Sequence, residues 1–156
     1  MAIEKVRDYF GEIGIAHKIQ EFEASSATVE LAAQALDVEP ARIAKTLSFK
    51  KEDGCILVVA AGDAKIDNAK FKSTFGVKAK MLNPDEVLEL VGHAVGGVCP
   101  FGIPDDVLVY LDESLKRFTT VFPACGSSNS AVELSCEELY TYAKGQQWVD
   151  VCKGWE

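Results

Sequence analysis

Apolar residues recur at Ile3, Val6, Phe10 and Ile13, the spacing of one helix face, and Gly14 stops the segment. Ile15 to Phe22 reads as a strand. Ser25-Ser26 can cap a second helix that turns Val29, Ala32, Ala33 and Leu36 inward. Pro40 opens a short helical turn, and Ile43 to Phe49 follows with the period-two alternation of a strand. Glu52-Asp53-Gly54 predicts a hairpin turn. Cys55 to Ala61 is apolar throughout, as a central strand buried on both faces would be. A third helix is predicted over Asn68 to Phe75 and a short strand over Lys78 to Leu82. Asn83-Pro84-Asp85-Glu86 combines an N-cap asparagine, proline at the first helical position and glutamate at the third. Val107–Leu111, Thr119–Phe122 and Ala131–Leu134 read as strands, and Ser135 with Glu138 forms a second capping box that opens a last helix through Ala143. Several strand-to-strand links are too short for parallel crossovers, so the expectation is one α/β domain over residues 1–156 built on a mixed sheet.

One position violates this pattern. In the strand from Ile43 to Phe49, counting by twos puts Ile43, Lys45, Leu47 and Phe49 on one face and Ala44, Thr46 and Ser48 on the other. Lys45 therefore falls in the middle of the apolar face. A desolvated ammonium without a partner is unfavourable. Lysines held this way shift their pKa or grip an anion, so Lys45 is the first candidate for function, against a register reset by a bulge or a side chain that snorkels to the rim.

Charge and cysteine content narrow the classes. A formal charge of −8 argues against a general nucleic-acid binder. The distribution is uneven, because residues 42–80 carry nine basic and four acidic side chains, leaving seven basic and twenty acidic elsewhere. One surface could therefore attract phosphates, although a solvated lysine-rich helix and hairpin would look the same. The five cysteines include no C-x-x-C pair, and with only His17 and His93 beside them no zinc-ligand spacing arises. No apolar stretch reaches the roughly 18 residues of a membrane span, and the charged amphipathic start does not read as a signal peptide. The expectation is a cytoplasmic protein with free thiols and no metal or cofactor.

Two loops could meet the lysine. Gly96-Gly97-Val98-Cys99-Pro100-Phe101-Gly102 lets a ligand approach the backbone closely, and Gly126-Ser127-Ser128-Asn129 adds amides, hydroxyls and a carboxamide. With Lys45-Thr46-Leu47, the pattern Gly96-Gly97-x-x-Pro100-x-Gly102 and a glycine turn before Val132-Glu133-Leu134, the chain resembles the YbaK/EbsC family over nearly its whole length. This is the family of the prolyl-tRNA synthetase editing domain and its free-standing relatives. The resemblance implies a mixed, barrel-like β-sheet flanked by helices and hydrolysis of the ester joining a wrong amino acid to tRNA. It implies a role for Lys45 in holding phosphate or the aminoacyl end at the terminal adenosine. It also implies that backbone amides at Gly96 and Gly97 bind the aminoacyl group, and that Phe22, Thr28, Gly126 and Ser127 line the site. Thr46, Phe101 and Gly102 lie within the same motifs and join the substrate-binding set. The second loop departs from the cysteinyl-tRNA deacylase branch, where basic residues stand; here it reads Ser127-Ser128-Asn129, and Cys99 replaces a common serine.

No paired carboxylates and no Ser–His–Asp set are visible, so positioning of a water, with a ribose hydroxyl as helper, is the implied chemistry. Cys99 as a nucleophile lacks a base nearby in sequence, and His93 reads as a polar residue at a helix end. Trp148 and Trp155 read as packing anchors. The implied partners are the aminoacylated acceptor end of tRNA and, to supply further affinity, an aminoacyl-tRNA synthetase or elongation factor. The contrasting class is a non-catalytic module that binds an aminoacyl or nucleotide ligand or a partner protein.

Overall fold

The structure, a computed structural model, describes residues 2–155. The helices are α1 (Ala2–Glu12), α2 (Val29–Leu36), α3 (Asn68–Phe75), α4 (Pro84–Leu90) and α5 (Cys136–Tyr142). The strands are β1 (Gln20–Glu21), β2 (Ile43–Lys51), β3 (Gly54–Ala61), β4 (Lys65–Ile66), β5 (Leu108–Asp112), β6 (Thr120–Pro123), β7 (Ser130–Ala131), β8 (Leu134–Ser135), β9 (Trp148–Val149) and β10 (Cys152–Lys153). Six of them form a curled sheet in the order β8-β6-β2-β3-β5-β9. It is mixed, as the short links require: β2–β3 and β6–β8 are antiparallel, whereas β2–β6, β3–β5 and β5–β9 are parallel. Two small ladders, β1–β7 and β4–β10, close its ends.

The hairpin β2–β3 is the centre. Its two-residue turn puts Glu52 in the left-handed region and pairs Lys51 with Gly54, which brings Lys45 opposite Ala60. From Cys55 to Ala61 every residue of β3 is buried, so this apolar run is covered on both faces as its composition predicts. β2 is covered on both faces as well, since Ala44 and Ser48 are buried and not solvent-facing. Both predicted capping boxes form, at Asn83–Glu86 and Ser135–Glu138.

Four segments differ from expectation. Only Gln20–Glu21 of the expected strand from Ile15 is extended, because Ile15 N–H returns to the Phe10 carbonyl (2.8 Å) and a 3-10 turn at Ala16–Lys18 follows. The 78–82 segment touches β2 through a bridge from Met81 to Phe49 and two backbone bonds without becoming a ladder. The run from Ala131 to Leu134 splits between β7, which pairs with β1, and β8, which pairs with β6. The cap of α2 is Thr28, whose Oγ1 accepts from Leu31 N–H (3.1 Å), so Ser26 is left free of that task.

Phe101 belongs to this core. It is fully buried, with its ring 4.8 Å from that of Phe10 on α1. Gly102 adopts φ +64° where an added Cβ would meet the Lys5 carbonyl oxygen at 3.1 Å, so this end of the glycine loop is shaped by α1. Phe101→Ala is therefore expected to lower unfolding free energy by about 3–5 kcal/mol through cavity formation. Denaturant titration checks this, and a stable variant with altered ligand preference would contradict it.

Candidate active site

A cavity of about 270 Å³ opens between α2, the first half of β2, α4 and the two loops. Its walls are largely apolar, from Val29, Ile43, Leu47, Leu82, Val87 and Phe122 among others. Of the residues expected at the site, Lys45, Thr28, Thr46 and Gly96 line it. Lys45 is the one titratable side chain among its lining residues, which include no Asp, Glu or His.

Lys45 is half-buried, and its Nζ donates to the carbonyl oxygens of Gly62 (3.3 Å) and Ala64. Both acceptors lie on the loop leaving β3, which the hairpin register carries back beside Lys45. An ammonium has three N–H groups, so two are committed to the protein and one remains for a ligand. Burial lowers the Lys45 pKa from the ordinary lysine value, while attraction toward neighbours including Asp63 opposes the shift.

The loop that seats Lys45 is itself gripped. Arg117 takes both oxygens of Asp63 in a fork, at 2.6 and 3.0 Å. The same guanidinium donates to the carbonyls of Ser114 (2.9 Å) and Trp155 (2.7 Å) and lies over the rings of Phe118 and Trp155. Ala61 N–H donates to Ser114 Oγ (3.1 Å). Asp63 is held below the usual carboxylate range, chiefly by its hydrogen bond from Arg117. With both oxygens engaged, Asp63 stands beside Lys45 without needing it as a partner. Sequence reading missed this arrangement, because Asp63 and Arg117 are 54 positions apart and neither sits in a recognisable motif.

Ser26 was also missed as a site residue. It lines the cavity, is 7% exposed, and its Oγ has no hydrogen-bond partner; Thr46 Oγ1 is likewise buried and unpartnered. Buried hydroxyls in native structures are normally satisfied. Two such groups on one cavity wall are positioned for a polar ligand. The available signal was that Ser25, Ser26 and Thr28 offered three hydroxyls for one helix cap.

The two loops do meet. Gly97 packs so tightly on the second loop that an added Cβ would lie 2.7 Å from Ser127 N and 2.8 Å from Gly126 C. Gly97 N–H is used internally, donating to Ala94 O (3.0 Å), so the contact is structural. Gly96 faces the cavity with φ +97°, beside Ala27 and Ser128. Gly126 and Ser127 stand behind the lining, where Ser127 Oγ bonds to Asn129 Oδ1 (3.0 Å) and Ser130 Oγ (2.6 Å). Phe22 does not line the cavity either; its backbone is strapped to Asn129 by two bonds, which fix the 22–28 segment along the second loop. Phe101 and Gly102 take no part in the cavity wall.

Cys99 and His93, six positions apart, approach each other in space, and His93, just past the end of α4, is fully buried. Its Nε2 is 2.8 Å from the Phe101 carbonyl and 3.5 Å from Cys99 Sγ. A carbonyl oxygen only accepts, so we assign the proton to Nε2, which then cannot take one from the thiol. Burial pushes the Cys99 thiol up to about 12 and lowers the His93 pKa. This is a neutral pair supporting the loop from beneath, not a nucleophile with its base.

Several of the basic residues of 42–80 are paired within the protein. Arg42 bonds to Thr120 and Glu133, Lys50 pairs with Glu86, and Lys70 pairs with Asp150. Trp148 stacks on Tyr140 beneath Lys116, as a packing anchor would.

Gly97→Ala should displace the 126–127 backbone, costing about 1–3 kcal/mol of stability through overpacking and deforming the cavity. Thermal unfolding together with ligand affinity checks this; an unchanged variant would show that the loops are not in backbone contact.

Comparisons with known proteins agree with this architecture. The chain matches the model of the aminoacyl-tRNA editing domain over residues 23–142. It is 58% identical over the full length of both chains to "Uncharacterized protein YwhH" of Bacillus subtilis. It is 26% identical to "Putative Cys-tRNA(Pro)/Cys-tRNA(Cys) deacylase EbsC" of Enterococcus faecalis, across 76% of this chain and 74% of that one. Among solved structures, "Crystal structure of a putative trans-editing enzyme for prolyl tRNA synthetase" superposes with a TM-score of 0.88 at 32% identity, covering 98% of each chain. With the match spanning both loops, Lys45 and most of the sheet, the chain belongs to the aminoacyl-tRNA editing domain family, of the YbaK/EbsC type.

Proposed function

We propose that the protein is a trans-acting deacylase that hydrolyses the ester of tRNA carrying a wrong, small amino acid, on tRNA(Pro) or a similar tRNA. The observation that carries this reading is the cavity itself: apolar walls, two unpartnered hydroxyls and a single cation with one uncommitted N–H. Such a cavity suits a neutral acyl group beside an anionic or strongly polar centre. It supplies no acid–base pair, and an aminoacyl ester is activated enough not to need one.

In this reading a water adds to the ester carbonyl carbon and the bond to the ribose oxygen breaks. The proton lost by the water reaches the departing ribose oxygen through the neighbouring ribose hydroxyl. Lys45 directs its remaining N–H toward the substrate, as electrostatic positioning rather than proton transfer. Ser26 and Thr46 present hydroxyls to the polar parts of the aminoacyl group. The Gly96 backbone lets the ester come close, and Thr28 holds α2 against the opening. The tRNA acceptor end is the partner, with a synthetase or elongation factor supplying further affinity.

Lys45→Ala is expected to lower kcat/KM for a susceptible aminoacyl-tRNA by about 10²-fold or more, the scale of losing one preorganised donor. The fold should remain, with a stability change within about 1 kcal/mol, because water can reach the carbonyls of a half-exposed site. The test is a panel of mischarged tRNAs followed by ester loss. Alanyl and seryl esters should be cleaved faster than phenylalanyl or leucyl esters, with imperfect sorting among small ones, since a methylene is worth only about 1–3 kcal/mol. Binding without any ester loss across the panel would favour a non-catalytic module, and near-normal turnover by the variant would make Lys45 structural.

The protonation state gives a second handle. The ammonium form binds, and it is present below the Lys45 pKa, which burial has lowered. Affinity for a non-hydrolysable aminoacyl-adenosine amide should therefore weaken as pH rises, beginning below the ordinary lysine range. Calorimetric titration across pH checks this, with Lys45→Ala losing the dependence.

A further inference from the structure

The small ladder β4–β10 sets Lys65 directly opposite Lys153, and both side chains are exposed. Like charges directly opposed across a strand pair are destabilising. Among the described residues, neither lysine has a carboxylate within ion-pair distance, because the acids at this end are committed elsewhere. Asp63 gives both oxygens to Arg117. Asp150 takes Lys70 Nζ at 3.0 Å. Asp67 caps α3 by accepting from Lys70 N–H at 3.0 Å, and it feels Lys153 only as a neighbouring charge.

The pair also sits in a particular place. Lys65 follows Ala64, whose carbonyl seats the Lys45 ammonium, so the two-lysine patch begins one residue from the cation of the cavity. The charges of Lys65 and Lys45 are close enough to oppose each other. Opposed, unneutralised cations leading away from a site are the arrangement expected where a chain of phosphates completes the charge balance.

We infer that Lys65 and Lys153 form the docking surface for the sugar-phosphate backbone of the single-stranded RNA end that enters the Lys45 cavity. This rests on the deacylase reading for the identity of the RNA, but not for the contact itself. The ladder guides the strand past the Ala64 seat, so the terminal nucleoside arrives with its ester at Lys45. The surface reads phosphates and not bases, since two lysines on exposed strands offer point charges without a base-edge fork.

The test compares the wild type with Lys65→Ala/Lys153→Ala and with Lys65→Arg/Lys153→Arg. Binding of an uncharged acceptor-stem RNA with a single-stranded 3′ end is followed by fluorescence anisotropy over a salt series. The alanine pair should bind more weakly at low salt, with its log–log salt slope flatter by about 1.4, at about 0.7 per single-strand phosphate contact. The arginine pair should restore the slope. In parallel, kcat/KM should fall for an aminoacyl ester of this RNA relative to the same ester of adenosine. An unchanged affinity and slope in the alanine pair overturns the proposal whatever happens to the ester. So does an equal loss on the RNA and adenosine esters, which would place the two lysines in the Lys45 seat. If the slope changes as expected while the wild type cleaves no ester, the docking surface stands and the deacylase reading falls.

Discussion

Lys45 reaches the carbonyls of Gly62 and Ala64 because β2 and β3 are locked in one register by the turn at Glu52 and Asp53. A slip of one residue would turn every β2 side chain to the other face, and the lysine would leave the cavity. The register is protected by burial. β3 is apolar and enclosed from Cys55 to Ala61, so no shifted pairing keeps its side chains out of water equally well. The strand most remote from polar chemistry is thus the one that sets the position of the cation.

The rest of the site is held by contacts whose closeness leaves little freedom. Gly97 lies backbone to backbone against Gly126 and Ser127, and the 22–28 segment is tied to Asn129 and Ser128. These straps bring three separated stretches of chain around one opening. Beneath the first loop, the buried His93–Cys99 pair fills space as a neutral contact. Burial keeps the Cys99 thiol protonated.

Much of this was legible in the sequence. The apolar run of β3, the period-two strand around Lys45 and the two capping boxes are local patterns, and each follows from spacing alone. The short strands β9 and β10 were not legible, because two-residue pairings are decided by what lies across from them. Loop residues divided for a similar reason. Lys45 and Gly96 reach the cavity, whereas Gly97, Gly102 and Phe101 answer to neighbours on the second loop or on α1. A glycine required by close packing and a glycine required by a ligand look identical in a sequence. The fork of Arg117 on Asp63 was invisible because long-range ion pairs leave no periodic trace.

On the proposed reading, an acidic protein must keep its few useful cations from being neutralised at home. Here three acids near the Lys45 seat are occupied. Asp63 is forked by Arg117, Asp150 is paired with Lys70, and Asp67 is spent on a helix cap. Lys45 is paired with carbonyl dipoles, which hold an ammonium in place without cancelling its charge as a carboxylate would. That distinction gives Arg117 its importance. Without the fork, the Asp63 carboxylate would be free to draw the Lys45 ammonium, whose charge it already feels. On the proposed reading, the net charge of −8 is no obstacle to an RNA contact, because affinity then depends on which cations remain unpaired beside the cavity.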